Sequence, residues 1–384
     1  MYGPEDYRIM LGDEVRVTAY LRAIEKVVRP GDVVLELGTG PGFFAVAACR
    51  AGAARVYAVE PNDVVTLGPA VAAENGCADR ITFFRTSSER VTLPGRADVL
   101  IEDMRGVLPV LGTRFDALVD ADRRLLVPGA RRIPSADSMW VAPCRAPASL
   151  RHDHVAHGRP IDGISVAPLR SLIRNQWGKS RTPASDLVAP PRQCARFDYT
   201  RPGTLDPVGN AAWEFDGPAT VDGWCVWFDA ELADGIGFSN APGQPETVYA
   251  QAFFPLEQSE AVEAGSHLDV CIRAVRTGSD HVWAWETVHT SASGTARTQR
   301  QSNLADVIGD GDALRRAAPG AVPSHGTPHA VYATLLRLTD GARTNAAIAR
   351  DLHVAHPAAF RSEQEALDFV TSRLSTIGAD ANFT

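Results

Sequence analysis

DVVLELGTGPGFF, Asp32 to Phe44, decides the reading of this sequence. An apolar run, Val33 to Leu37, enters Gly38-Thr39-Gly40-Pro41-Gly42 and then a stretch of helical character. Glycines at such a junction let the backbone turn sharply and approach a ligand, and the following helix presents free N–H groups to it. Glu36 precedes the first glycine by two residues, and Glu60 closes the next apolar run, 22 residues after Gly38. A carboxylate there suits paired ribose hydroxyls, because it can accept from both donors. The spacing is G-x-G-x-G, whereas the dinucleotide fingerprint is G-x-G-x-x-G, and Phe43 stands where its last glycine would be. A nicotinamide or flavin site and a ligand-free strand–helix turn are the competing readings.

Outward from this loop the pattern alternates. Residues 13–28 form an amphipathic helix stopped by Arg29-Pro30-Gly31. Apolar runs Val33 to Leu37, Val56 to Glu60, Ile81 to Phe84 and Val99 to Glu102 are separated by helical stretches, the pattern of a parallel α/β sheet over residues 1–134. From residue 135 to 290 strand-like pieces recur: Met139 to Ala142, Gly223 to Ala230, Thr247 to Phe254, Leu268 to Val275 and Val282 to Val288. They predict an antiparallel β-sandwich or barrel, interrupted by an insertion at about residues 145–176 with one helix at 165–176. Trp224, Trp227, Trp283 and Trp285 fall on these strands and are expected in their core. Residues 291–328 read as a polar linker. Residues 329–384 return to helices, at Ala330 to Leu338, Asn345 to Leu352 and Ser362 to Leu374, with a turn at Asp340-Gly341.

Composition excludes several classes. With 45% apolar residues the chain is a folded globular protein, and acids outnumber bases 46 to 38, which disfavours nucleic acid as a partner. The six cysteines form no CxxC pair and read as reduced thiols, not a zinc site or a disulfide framework. There is no apolar signal-peptide core and no run long enough to span a bilayer, so a cytoplasmic protein is expected. His152, Asp153, His154 and His157 form a histidine-rich group, expected to be a solvated loop, and no metal site is expected.

The stretch VVLELGTGPGFFAVAACRAGAARVYAVE resembles the cofactor-binding region of class I S-adenosylmethionine-dependent methyltransferases, and more narrowly that of protein arginine methyltransferases. MLGDEVR (Met10 to Arg16) is similar to that family's pre-core helix, and the resemblance implies that Arg16 binds the methionine carboxylate. It further implies cofactor contacts from Met10, Glu36, Gly38, Thr39, Gly40, Gly42, Glu60 and Pro61, with Ser88 and Glu89 at the adenine amino group. The fold implied is a Rossmann-like core followed by the family's β-barrel, with a dimerisation arm in the insertion and hence a homodimer. The tail, LLRLTDGARTNAAIARDL onward, resembles small PqqD-like, winged-helix-type domains, which bind leader peptides of ribosomally made precursors. A plain helical packing domain is the alternative.

The resemblance breaks at the acceptor. The family grips the substrate guanidinium with two glutamates after the fourth strand; Glu102 matches the first, but the second falls within Val110-Leu111-Gly112, where no acid stands. Asp103 replaces the usual tryptophan, and the Thr-His-Trp motif is here Thr247-Val248-Tyr249. A guanidinium is best localised by two carboxylates, so the acceptor expected is another nucleophile on a peptide or protein side chain, with a guanidine held partly by other groups such as Asp103 as the alternative. Glu102, with Asp103 and Tyr249 beside it, is the expected catalytic group. A small-molecule N- or O-methyltransferase and a catalytically silent peptide-binding scaffold are the alternatives.

Overall fold

The computed structural model describes residues 3–151, 158–278, 280–305, 320, 322 and 327–377. The His152–His157 group therefore lies outside the described residues. The chain divides into two units, residues 1–307 and 308–384.

The first unit begins with two helices, α1 (Pro4–Leu11), which the sequence reading missed, and α2 (Glu14–Val27). Asp13 caps α2 by accepting from the Arg16 N–H at 3.0 Å, and Gly31, at φ +92°, completes the stop after it. The parallel sheet contains β1 (Val33–Leu37), β2 (Arg55–Val59), β3 (Ile81–Phe84), β4 (Ala97–Glu102) and β5 (Leu126–Ile133), in the order β3-β2-β1-β4-β5. Helices α3 (Phe43–Arg50), α4 (Gly68–Glu74) and α5 (Arg114–Arg124) lie between them in sequence. β1 is almost wholly buried, as a strand covered on both faces must be, which is why it reads as an apolar run broken only by Glu36. Strand order reverses between β1 and β4, and a parallel sheet opens a ligand crevice at the carboxyl ends of strands at such a reversal. Leu37 is the register partner of Glu102, so the glycine loop and Glu102 leave the sheet side by side.

Beyond Pro134 the chain forms two antiparallel sheets. One holds β6 (Ala136–Cys144), β7 (Gly178–Ser180), β8 (Arg192–Asp198), β10 (Ala219–Ala233), β11 (Ile236–Ser239) and β12 (Gln251–Val262). The other has the order β15-β14-β13-β9, from β9 (Val208–Glu214), β13 (His267–Thr277), β14 (Asp280–Thr290) and β15 (Ala296–Ser302). The two sheets enclose Trp213, Trp224, Trp283 and Trp285, and among the described residues no ladder of strand pairs joins them into a closed barrel. The indole N–H groups are satisfied, Trp224 donating to Thr287 Oγ1 at 2.9 Å and Trp285 to the Pro255 carbonyl at 2.8 Å. Three corrections to the sequence reading follow. β15 pairs with β14, so the polar residues 296–302, read as linker, are sheet; their alternation is only weakly apolar because β15 is an edge strand. Thr247 to Ala250 precede β12 in place of opening a strand, and Ala250 has φ +51°. The helix in the insertion is shorter than expected, Ala167–Arg174.

The second unit contains helices Thr327–Leu338, Asn345–Ala355 and Glu363–Ile377 among its described residues. Leu335, Ile348, Leu352, Phe360 and Val370 form its core, and Thr344 caps the middle helix through the Ala347 N–H.

Candidate active site

The glycine loop is shaped by three residues in the left-handed region, Gly38 (φ +74°), Gly40 (φ +55°) and Gly42 (φ +90°). A Cβ on Gly40 would lie 2.9 Å from a ring carbon of Tyr7, because α1 packs over the loop. A Cβ on Gly42 would lie 2.8 Å from Phe83. The N–H groups of Gly38 and Thr39 both donate to the Val59 carbonyl, which ties the loop to β2. The Gly40 N–H donates to Glu60 Oε2 at 3.1 Å, while Oε1 accepts from the Asn62 backbone and side chain at 3.0 and 2.6 Å. Oε2, with one donor, keeps lone-pair capacity for a hydroxyl donor. Glu36 is 2% exposed and accepts from Thr39 Oγ1 at 2.6 Å; burial pushes its carboxyl up to about 8, against the lowering effect of the Thr39 and Ala45 hydrogen bonds.

The other sequence-selected residues divide. Arg16 is buried; its Nη1 donates to Asp103 Oδ2 at 2.6 Å and its Nη2 to the Met10 carbonyl at 2.7 Å. Its Nε, also buried, has no partner. Ser88 and Glu89 sit in the turn after β3; Ser88 is half-buried, with its carbonyl accepting from Arg124, and Glu89 and Pro61 are exposed.

At the acceptor end, Glu102 is 2% exposed and is taken by the chain's own Arg114, from the first turn of α5. Arg114 Nε donates to Oε2 at 3.1 Å and Nη2 to Oε1. Arg114 Nη1 donates to the Pro109 carbonyl and to Tyr199 Oη, both at 2.8 Å, and its guanidinium lies 4.4 Å from the Tyr199 ring centroid. Asp103 is equally engaged, accepting from Arg16, from Arg105 Nη1 at 2.7 Å and from Tyr249 Oη at 2.6 and 2.7 Å. These cationic and hydroxyl partners hold its carboxyl below the usual range despite burial, which alone would raise it. Arg105 forks onto Asp137 of β6 and donates to Tyr20 Oη, and Tyr199 Oη donates to Asp137. Asp13 accepts from the Val248 N–H at 2.7 Å, bringing the Thr247–Tyr249 loop to α2.

Sequence reading missed Arg105, Arg114, Asp137, Tyr20 and Tyr199. The charged residues among these, Arg105, Arg114 and Asp137, sit among polar neighbours in the sequence, and only their burial shows that each must find a partner. Among the described residues no group of three or more metal-ligating side chains occurs.

Comparisons with known proteins find similar sequences and folds. The family model described as ribosomal protein L11 methyltransferase (PrmA) matches residues 17–129. A ribosomal protein arginine N-methyltransferase, rmt3, of Schizosaccharomyces pombe is 23% identical over 314 residues, 77% of this chain and 58% of its own length, so the chain spans less than two thirds of that relative. An arginine N(omega)-methyltransferase of Streptomyces achromogenes subsp. streptozoticus is 27% identical over 284 residues, 69% of this chain and 74% of its own length. Among solved structures, a Trypanosoma brucei PRMT1 enzyme-prozyme heterotetrameric complex with AdoHcy superposes with a TM-score of 0.70 at 20% identity, covering 77% of this chain and 97% of that one. The chain resembles class I S-adenosylmethionine-dependent methyltransferases, and protein arginine methyltransferases in particular, in sequence and in fold.

Proposed function

We propose that this protein is an S-adenosylmethionine-dependent methyltransferase whose acceptor is a protein or peptide side chain other than a guanidinium. The observations that carry the cofactor assignment are the glycine loop, held by three glycines in the left-handed region, the Glu60 carboxylate tied to it through the Gly40 N–H, and the buried Arg16 Nε without a partner. These residues fit the cofactor. Arg16 would take its carboxylate, Glu60 the ribose hydroxyls, Glu36 the amino group, and Ser88 and Glu89 the adenine amine, with Met10, Thr39 and Pro61 completing the wall. When bound, the cofactor supplies an activated methyl group on a sulfonium. The chain's own task is then to exclude water and hold an acceptor lone pair in line.

The acceptor class rests on Arg114. Both oxygens of Glu102 are already bonded to a guanidinium from within the chain, and no acid stands at Val110-Leu111-Gly112. A substrate arginine would have to displace Arg114 into a buried space where it has no other carboxylate closer than Asp137, 3.6 Å away. A neutral nucleophile avoids that cost. The same observation favours a second reading, a catalytically silent subunit that scaffolds a partner, and the enzyme-prozyme neighbour supports it. A small-molecule acceptor is the remaining alternative, and the relative named arginine N(omega)-methyltransferase, whose named acceptor is a guanidinium nitrogen, supports the small size of the acceptor but not its class. The helical tail, PqqD-like in its pattern, supports a peptide acceptor such as a ribosomal precursor. A homodimer and a cytoplasmic setting go with this reading; no described helix is long and apolar enough to cross a membrane.

Calorimetric titration with S-adenosylhomocysteine tests the cofactor assignment. Binding that a nicotinamide dinucleotide does not compete away is expected; tighter binding of the dinucleotide would refute it.

A further inference from the structure

Asp103 stands where the resemblance would place a tryptophan, and both oxygens of its carboxylate are engaged. Its two oxygens receive Arg16, Arg105 and the Tyr249 hydroxyl, and it is 8% exposed. It is therefore a poor candidate for a free base. What it does have is a grip on one end of Arg16. Asp103 takes Nη1, the Met10 carbonyl takes Nη2, and the Phe44 ring lies 5.6 Å from the guanidinium carbon. Of the three nitrogens, Nε alone has no partner, and it is buried. A buried N–H without an acceptor is costly, so an orphaned buried donor points to a missing acceptor.

We infer that Asp103 is a positioning residue that fixes the Arg16 guanidinium with its Nε edge turned to the cofactor's carboxylate. The inference rests on the cofactor assignment above. Asp103 anchors Arg16 from behind, Arg105 and Tyr249 anchor Asp103, and Asp137 and Tyr20 anchor Arg105. The Nε edge is thus held ready by a chain of buried bonds reaching from α2 to β6. An arginine so fixed loses little rotamer freedom when a carboxylate arrives, which is where preorganisation gains affinity.

The test compares two probes in calorimetry. S-adenosylhomocysteine carries the carboxylate; 5′-methylthioadenosine shares the adenosine and sulfur but lacks the amino-acid tail. Asp103→Asn should weaken S-adenosylhomocysteine binding by at least tenfold and change methylthioadenosine binding by less than twofold. Added to Arg16→Ala, it should cause no further loss. Equal weakening of both probes would reduce Asp103 to a structural role, and unchanged or tighter S-adenosylhomocysteine binding would overturn the inference. If the wild type binds neither probe, the cofactor assignment falls and this inference with it. Should Asp103→Asn fail to fold, the wild type carries the test through the nitrogen-15 signal of the Arg16 Nε–H, assigned by its loss in Arg16→Lys. That signal should shift with S-adenosylhomocysteine and not with methylthioadenosine; an equal shift with both would contradict the assignment.

Discussion

The guanidinium of Arg114 forks onto Glu102, Nε to one carboxylate oxygen and Nη2 to the other, with both side chains at most 2% exposed. The pair sits where β4 ends and α5 begins, twelve residues apart in sequence, so the loop between them closes on itself. Removing one partner of a buried ion pair strands the other charge, at a cost of about 3–5 kcal/mol, whereas replacing both with apolar groups costs much less. Arg114→Leu should therefore destabilise the protein strongly, and Glu102→Leu/Arg114→Leu should be more stable than the sum of the single changes. Urea unfolding of the four proteins measures this, and additive losses would show that the pair is not coupled.

Glu36 gives a pH dependence with a definite sign. Its carboxyl is raised from 4.5 to about 8 in the folded chain, so between those values the folded state holds a proton that the unfolded state releases. Stability of the ligand-free protein falls as pH rises across that window, by up to ~1.4 kcal/mol per pH unit from this group. Glu36→Gln removes the dependence. The melting temperature of the variant relative to wild type should rise from pH 5 to pH 8, and a constant difference would mean Glu36 is not held protonated.

Gly40→Ala should abolish cofactor binding. The new Cβ meets Tyr7 at 2.9 Å and the backbone stays at φ +55°, which an alanine adopts only with strain. Tyr7→Ala in the same chain removes the clash but not the strain, so it should restore little. Full restoration in calorimetry would assign the whole effect to Tyr7.

The tail has its own core, with Leu335, Ile348, Leu352 and Val370 buried among three helices. Ending the chain after Gly326 should leave S-adenosylhomocysteine affinity unchanged. If the tail tethers a peptide, the truncated protein's KM for peptide should rise more than its kcat falls, because tethering raises local concentration. An unaltered peptide KM in a soluble truncation would remove the recognition role.

The parallel sheet and its glycine loop were legible because they depend on local patterns: a buried apolar run, glycines at a turn, and an acid closing the next strand. Edge strand β15 was not, since its outward residues are polar and its inward ones are Gln299 and Gln301, which are buried only by their hydrogen bonds to β12. The candidate site was half legible. Arg16, Glu36 and Glu60 stand at spacings that local structure fixes, and Glu36 and Glu60 are both bonded to the glycine loop. Glu102 was found as well, but not its occupation, because no spacing rule links an acid at a strand end to an arginine in the next helix. Asp103 and Tyr249 were read as catalytic neighbours, whereas their hydrogen bonds are spent on Arg16, Arg105 and one another. Such pairings are decided by burial in three dimensions, which puts Arg105 beside Asp137 of a distant strand.

The most direct test is to incubate the full chain with methyl-tritiated S-adenosylmethionine and peptides carrying arginine, histidine, lysine, serine or aspartate as the single nucleophile. Released and retained label would be identified by chromatography of enzymatic digests, which spare methyl esters. The expected result is label on a side chain other than arginine, with none co-eluting with methylarginine standards. Label in monomethyl- or dimethylarginine as the main product would show that Arg114 yields Glu102 to a substrate guanidinium, and would contradict the proposed acceptor class.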